Sequence, residues 1–251
     1  MRLAGKTAVI TGGTTGIGFA TAERFLTEGA KVLIVGCHEA RLNEAYKQLA
    51  PHGEISTVQA DVRLIEDIEQ IATYAEIKFN GTLDVLFANS GVSHFGPFES
   101  LSERSFDDEI AVNFRGVFFT VQKLARLLGE GSSVVLNGSS LNQTASPNLA
   151  AYGATKAAVR SLGRTFADEL KHRGVRVNVV ATGATDTPIF DKYPLSPEEV
   201  SDLKEGLRSA IPMGRFADPA EIAAAVLFLA SDESSYILGE EITVDGGLAV
   251  L

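Results

Sequence analysis

From Lys6 onward, short runs rich in β-branched and apolar residues alternate with longer stretches whose apolar positions recur every three or four residues. Runs of four to six such residues have strand length, and the three- and four-residue recurrence is that of amphipathic helices. Strands are expected at residues 7–11, 31–35, 55–60, 83–88, 133–136, 175–180 and 241–244. Helices are expected between them at 17–28, 39–50, 64–79 and 219–231. A longer helix should follow an N-cap at Ser102, its buried stripe being Phe106, Ile110, Phe114, Val117, Phe118, Val121 and Leu124. Another should begin near Leu149 or Ala150, its stripe formed by Ala151, Ala154, Ala158, Leu162, Phe166 and Leu170. Strands that alternate with helices imply βαβ units and a parallel sheet covered on both faces, an α/β fold. Residues 186–215 interrupt the rhythm. Within them Ser196-Pro197-Glu198-Glu199 is a helix start, with an N-cap serine, proline at N1 and glutamate at N3; Asp218-Pro219-Ala220-Glu221 repeats the signal. An insertion with a helix of its own is the kind of place where a substrate lid sits.

Composition narrows this picture. The 251 residues are 45% hydrophobic and 22% charged, with no linker, repeat or low-complexity segment, so residues 1–251 read as a single domain. A net charge of −10 argues against nucleic acid or an anionic membrane as a main partner. The lone cysteine, Cys37, excludes an intrachain disulfide and points to a reducing compartment. No signal-peptide pattern opens the chain, and the longest apolar run, residues 223–230, is too short to span a bilayer; a cytoplasmic protein is expected. No His/Cys/Asp/Glu cluster has metal-ligand spacing, so no metal site is expected.

Directly after the first strand comes Gly12-Gly13-Thr14-Thr15-Gly16-Ile17-Gly18. Glycines allow a sharp turn and close approach to a pyrophosphate, and the helix that follows offers free N–H groups and a positive dipole end. At the end of the second strand, where an acidic residue would take the ribose 2′-OH of NAD, the chain has Gly36 and Cys37, with His38 and Arg41 near enough to assist a 2′-phosphate. This tilts the expectation to NADP(H) over NAD(H). Further along, Tyr152 and Lys156 lie one helical turn apart, and Ser139 stands thirteen residues before the tyrosine, just after an apolar strand. An ammonium near a phenol favours the phenolate, which would make the pair a general acid/base, and Ser139 could hold an oxygen that gains or loses charge.

Taken together, these motifs resemble the short-chain dehydrogenases/reductases over nearly the whole chain, most closely the bacterial secondary-alcohol dehydrogenases, or carbonyl reductases. The matching elements are the glycine turn, Asp61-Val62, Ala88-Asn89-Ser90-Gly91, Asn113, Ser139, Tyr152-x-x-x-Lys156, the 182–188 segment and Val244-Asp245-Gly246-Gly247. The resemblance implies a Rossmann-type, doubly wound, seven-stranded parallel sheet in the order 3-2-1-4-5-6-7. It implies that the glycine turn holds the pyrophosphate, that Asp61 and Val62 flank the adenine, and that Asn89, Ser90 and Gly91 line the cofactor. Gly183 belongs to the cofactor-binding set with Thr185 and Thr187, which would reach the nicotinamide carboxamide and phosphate. Tyr152 would be the acid/base, Lys156 would bind the nicotinamide ribose, Ser139 would hold the substrate oxygen, and Asn113 would anchor a water serving Lys156. Four departures stand out: Ser90 replaces the usual alanine, Thr182 the usual proline, and Cys37 the arginine of many NADP-preferring members, while Ser139 has Ser140 as a neighbour. Spacing to Tyr152 favours Ser139.

The expected activity is interconversion of ketones and secondary alcohols with NAD(P)(H). A 3-oxoacyl-thioester reductase of the same family is the nearest alternative; a non-catalytic dinucleotide-binding sensor is the alternative from another class. Candidate pocket residues are His94, Phe95, Leu141, Asn142, Gln143, Phe190 and Tyr193. The family usually forms homotetramers. Gly153, Ala157 and Gly163 would suit close helix packing between subunits, and the apolar tail Leu248–Leu251 is expected in an interface.

Overall fold

A computed structural model describes residues 1–251. Seven strands form one all-parallel sheet: β1 (Thr7–Thr11), β2 (Lys31–Gly36), β3 (Ile55–Gln59), β4 (Leu83–Ala88), β5 (Leu128–Asn137), β6 (Arg176–Thr182) and β7 (Glu241–Val244), in the order β3-β2-β1-β4-β5-β6-β7. The helices are α1 (Gly16–Thr27), α2 (Glu39–Leu49), α3 (Ile65–Lys78), α4 (Glu103–Glu109), α5 (Val117–Leu124), α6 (Ala150–Leu170), α7 (Pro197–Ala210) and α8 (Pro219–Ala230).

Alternate residues of each strand feed opposite faces. Val9, Leu33, Leu86, Val134 and Val177 pack on one side with apolar residues of α3, α5 and α6. Ala8, Ile10, Val32, Val85 and Val135 pack on the other with α1, α2 and α8. A sheet buried on both faces needs continuous apolar strands, and this is why the strand runs stand out in the sequence. The strand order reverses between β1 and β4, which opens a crevice at the carboxyl ends of those strands.

Two helices differ from the expected stripes. α4 and α5 are one continuous helix joined by a π-helical stretch, Ile110–Gly116. The wider turn shifts the phase, so the residues turned inward are Glu109, Val112, Asn113, Gly116 and Val117, while Phe106 is exposed. On α6 the buried face is Ala151, Thr155, Lys156, Val159, Gly163, Phe166 and Ala167, and Ala154 lies on the surface. Gly163 faces Val179 of β6, where an added Cβ would come within 2.6 Å. It therefore packs α6 onto the sheet instead of onto another subunit. Both expected helix starts are capping boxes, at Ser196 for α7 and Asp218 for α8. α7 runs 14 residues and buries none of them fully.

Candidate active site

The crevice at the strand ends is a cleft of about 440 Å³. Its floor begins at the glycine turn. Gly12 and Gly16 have φ of +65° and +53°, a conformation that L side chains rarely adopt. A Cβ at Gly18 would meet the Gly12 carbonyl oxygen at 2.2 Å, so the turn and the first coil of α1 touch backbone to backbone. Thr15, the N-cap of α1, makes no side-chain cap bond. The first N–H groups of the helix are thus left free in the cleft beside Thr14, Thr15 and Ile17, as a bound pyrophosphate requires.

At one end, Cys37, His38, Arg41, Asp61, Val62 and Arg63 line the cleft. Burial works against ionisation of Asp61, but hydrogen bonds from Arg63 outweigh it and hold the carboxyl below its ordinary value. Arg63 also reaches Asp108 at 2.7 Å. Asn89, Ser90 and Gly91 follow β4 along the cleft, opposite Gly183, Thr185 and Thr187.

At the other end, Ser139, Tyr152 and Lys156 come together. Lys156 is 3% exposed, and its ammonium donates to the Asn137 carbonyl oxygen at 2.7 Å. Asn137 in turn donates its side-chain amide to Asn89 Oδ1 (2.9 Å), and Asn89 donates to the carbonyls of Thr11 and Gly12 at 3.0 and 3.1 Å. One hydrogen-bonded line therefore ties the glycine turn to Lys156. Burial pushes the Lys156 ammonium down to about 8. It pushes the Tyr152 phenol well above its ordinary value, an effect that the Tyr193 phenol reinforces and a hydrogen bond with Ser139 opposes. The drop expected for Tyr152 from its lysine neighbour is not seen: Lys156 Nζ lies 5.5 Å from the Tyr152 ring centre and spends its bond on a carbonyl. Asn113 is fully buried. Its Oδ1 accepts from the Val92 amide at 2.9 Å, and its Nδ2 donates to the Val92 carbonyl at 2.8 Å and to Thr155 Oγ1 at 3.2 Å.

The expected pocket residues divide. Leu141, Phe190 and Tyr193 line the cleft. Asn142 and Gln143 do not: a 3-10 turn carries them away, and their amides donate to Glu241 at 2.6 and 2.8 Å. His94 and Phe95 line a neighbouring cavity of about 480 Å³, with the His94 ring bonded to Asp108 at 3.0 Å and Phe95 stacked on Tyr193. Residues that sequence reasoning did not assign to the cleft include Val92, Ser93, Ser146, Leu149, Leu207 and Leu248. Leu207 lies on α7; the others lie in loops and at turns without periodicity, and only their position after a strand end could have flagged Val92 and Ser93.

Residues 12–249 match a family model described as enoyl-(acyl carrier protein) reductase. The chain belongs to the short-chain dehydrogenase/reductase family. An oxidoreductase of the fungus Sarocladium schorii is 38% identical over 99% of this chain and 97% of its own length. The 3-oxoacyl-[acyl-carrier-protein] reductase of Thermotoga maritima is 36% identical over the full length of both. The crystal structure of levodione reductase superposes with a TM-score of 0.93 at 33% identity, over 99% of each chain. As a short-chain dehydrogenase/reductase, the chain is an oxidoreductase of a family that works with nicotinamide dinucleotides. No helix is long and apolar enough to cross a membrane.

Proposed function

We propose that the protein interconverts ketones and secondary alcohols with NADP(H) or NAD(H), with Tyr152 as the acid/base. The observation that carries this reading is the convergence of Ser139, Tyr152 and Lys156 in the cleft that begins at the glycine turn. When bound, the dinucleotide supplies or accepts the hydride at its nicotinamide ring. The glycine turn and the free N–H groups of α1 would hold its pyrophosphate, Asp61 and Val62 would serve the adenine, and Gly183, Thr185 and Thr187 would serve the nicotinamide end; all of them line the cleft. Ser139 donates to the carbonyl oxygen of the substrate. Tyr152, kept protonated by burial, gives that oxygen its proton during reduction and takes one back during oxidation. Lys156 keeps a positive charge near the phenolate that results, and Asn113 fixes the wall behind it by holding Val92 at both its N–H and its C=O.

NADP(H) is the favoured cofactor. His38 and Arg41 line the adenosine end, neither forms an ion pair, and no carboxylate occupies position 36 or 37. Residues 186–215 form the lid: a parallel bridge between Thr185 and Ala217 pins its base, and Leu207 of α7 reaches the cleft. The exposed Phe106, Val250 and Leu251 support assembly as a homotetramer, and a monomer in size-exclusion chromatography with light scattering would overturn that. A 3-oxoacyl-thioester substrate is the second reading, favoured by the 36% identity to the Thermotoga maritima reductase.

The test is consumption of NADPH and of NADH, separately, with aryl ketones, alkyl ketones and a 3-oxoacyl thioester, by wild type and Tyr152→Phe. Loss of a positioned acid costs roughly 10²–10⁴-fold in turnover. A variant as active as wild type would end the assignment of Tyr152.

A further inference from the structure

We propose that the wall of the cleft facing Tyr152 carries a second oxygen-recognition site, formed by the hydroxyls of Ser93 and Tyr193. The substrate would then be a dioxygenated compound: a hydroxyketone, dione or diol. This rests on the ketone–alcohol reading and narrows it to a substrate class.

Both residues line the cleft. Their hydroxyls lie 3.3 Å apart and have no other hydrogen-bond partner, although each can make more than one bond. Ser93 is only 8% exposed, so a free donor or acceptor there carries a desolvation cost that a ligand oxygen would relieve. Val92 precedes Ser93 and Phe190 packs against Tyr193, and both put apolar surface into the cleft beside the two hydroxyls. Two hydroxyls on such a surface are the few convergent polar groups that orient a small molecule.

Both hydroxyls are also held in place from behind. Asn113 clamps Val92 at both backbone groups, and Glu109 Oε1 accepts the His94 amide at 2.6 Å, so Ser93 sits between two fixed residues. Glu109 is fully buried, and its Oε2 has no partner. Tyr193 is stacked on Phe95, with ring centres 5.0 Å apart, and meets Phe190 edge-on at 5.8 Å. Burial, reinforced by Glu109, holds the Tyr193 phenol above its ordinary value even with Ser93 beside it, so it remains a donor at neutral pH. Tyr152 lines the same cleft as Ser93 and Tyr193, so one substrate can meet all three. A preorganised donor pair of this kind rejects an analogue lacking the oxygen, because its own groups are then left unpaired.

The test compares cyclohexanone with 2-hydroxycyclohexanone and with 1,2- and 1,4-cyclohexanedione, for wild type, Tyr193→Phe and Ser93→Ala. Differences in intrinsic reactivity cancel when each variant's dioxygenated-to-plain ratio of kcat/KM is divided by that of wild type. We expect that ratio to fall about tenfold in each variant, mainly through KM. Equal losses on plain and dioxygenated ketones would overturn the proposal. Tyr193→Phe keeps the ring that stacks on Phe95, so a folded protein is expected. In parallel, ligand-observed NMR on the Tyr152→Phe protein with dinucleotide added measures Kd for cyclohexanol and for cyclohexanediols. If no ketone is reduced at all, the ketone–alcohol reading fails and this binding ratio decides the present proposal. Tighter binding of a diol that disappears with an added Tyr193→Phe change supports it, and equal affinities refute it.

Discussion

Replacing Gly18 with alanine separates two opposing effects whose sizes can be worked out from the structure. Gly18 is the third residue of α1, and alanine there would favour the helix by about 0.5–1 kcal/mol. Against this, the new Cβ would stand 2.2 Å from the Gly12 carbonyl oxygen and 2.6 Å from Asn89 Nδ2. The first obstacle is backbone and cannot rotate away. Overpacking of this kind costs about 1–3 kcal/mol. Displacing Asn89 also weakens its two bonds to the carbonyls of Thr11 and Gly12, each contributing roughly 0.5–1.5 kcal/mol. The losses exceed the gain, leaving a net destabilisation of about 2–4 kcal/mol, a fall of roughly 5–15 °C in Tm. The disturbance also travels: Asn89 accepts from Asn137, whose carbonyl receives Lys156. Urea unfolding followed by circular dichroism measures the stability, and fluorescence titration measures NADPH and NADH affinity, which should weaken at least about tenfold. Wild-type stability together with wild-type affinity would refute the reasoning, since it would mean that the turn can yield where the contacts say it cannot.

Four further outcomes are expected. Burial lowers Lys156 from 10.5 to about 8, so between these values the unfolded chain binds the extra proton; stability from this group therefore rises across pH 8–10.5, by roughly 3 kcal/mol in total. Subtracting the unfolding free energies of Lys156→Met from those of wild type over that range should show the rise, and a flat difference would contradict it. Burial raises Glu109 above 4.5, so the folded state holds its proton longer and the group costs stability as pH climbs above 4.5; Glu109→Gln should gain on wild type from pH 4.5 upward in denaturation series. Because Tyr152 is held protonated, alcohol oxidation should rise steeply with pH above neutrality while ketone reduction does not, and parallel pH profiles would argue against Tyr152 as the base. Asp218→Ala removes the side-chain acceptor of the Ala220 amide in the capping box of α8, and about 1 kcal/mol should be lost in urea unfolding with turnover retained.

Much of the fold could be read from the sequence because its strands are buried on both faces. The limits of β1, β4 and β7 match the apolar runs residue for residue. β5 begins five residues before its predicted start: Leu128 pairs with Leu83 of β4, and Gly129, Glu130, Gly131 and Ser132 fall in a register shift before Ser133 pairs with Val85, so glycines and a glutamate hide the join. Within the cleft, the glycine turn and the tyrosine helix were legible because spacing along one turn or one helix fixes their geometry. Pocket residues were harder to assign. Asn142 and Gln143 follow Ser139 by three and four residues, yet Glu241, almost a hundred residues further on, decides where they point. The apolar pattern of the tail points to a subunit interface, yet Leu248 lines the cleft, because Asp245 accepts from the Gly247 and Ala249 amides and curls the chain back.

The π-helical stretch is the feature that no period-3.6 reading could supply, and it sits where function would place it. Had the helix kept a regular pitch, Phe106, Ile110 and Phe114 would form one inward line. The extra residue in the turn moves Glu109 and Asn113 to the buried side instead. From there they take hold of His94 and Val92, the two residues that flank Ser93. A buried, half-satisfied carboxylate and a wide turn both carry a cost, and surrounding structure must hold them in place. In the sequence the two residues stand off the expected stripe of Phe106, Ile110 and Phe114, where polar side chains are in place; the conflict arises in the fold, which buries Glu109 and Asn113 where packing alone would favour apolar side chains. Such local conflicts are expected where a chain is shaped for a ligand and not for packing alone. Removing the conflict separates the two purposes. Glu109→Leu takes the lone acceptor from the His94 amide and fills the wall with an isobutyl group. If the wide turn serves the cleft, this change should lower kcat/KM on the best ketone by roughly tenfold or more while the unfolding free energy moves by less than about 1 kcal/mol. A large stability loss with unchanged kcat/KM would assign Glu109 to the fold alone.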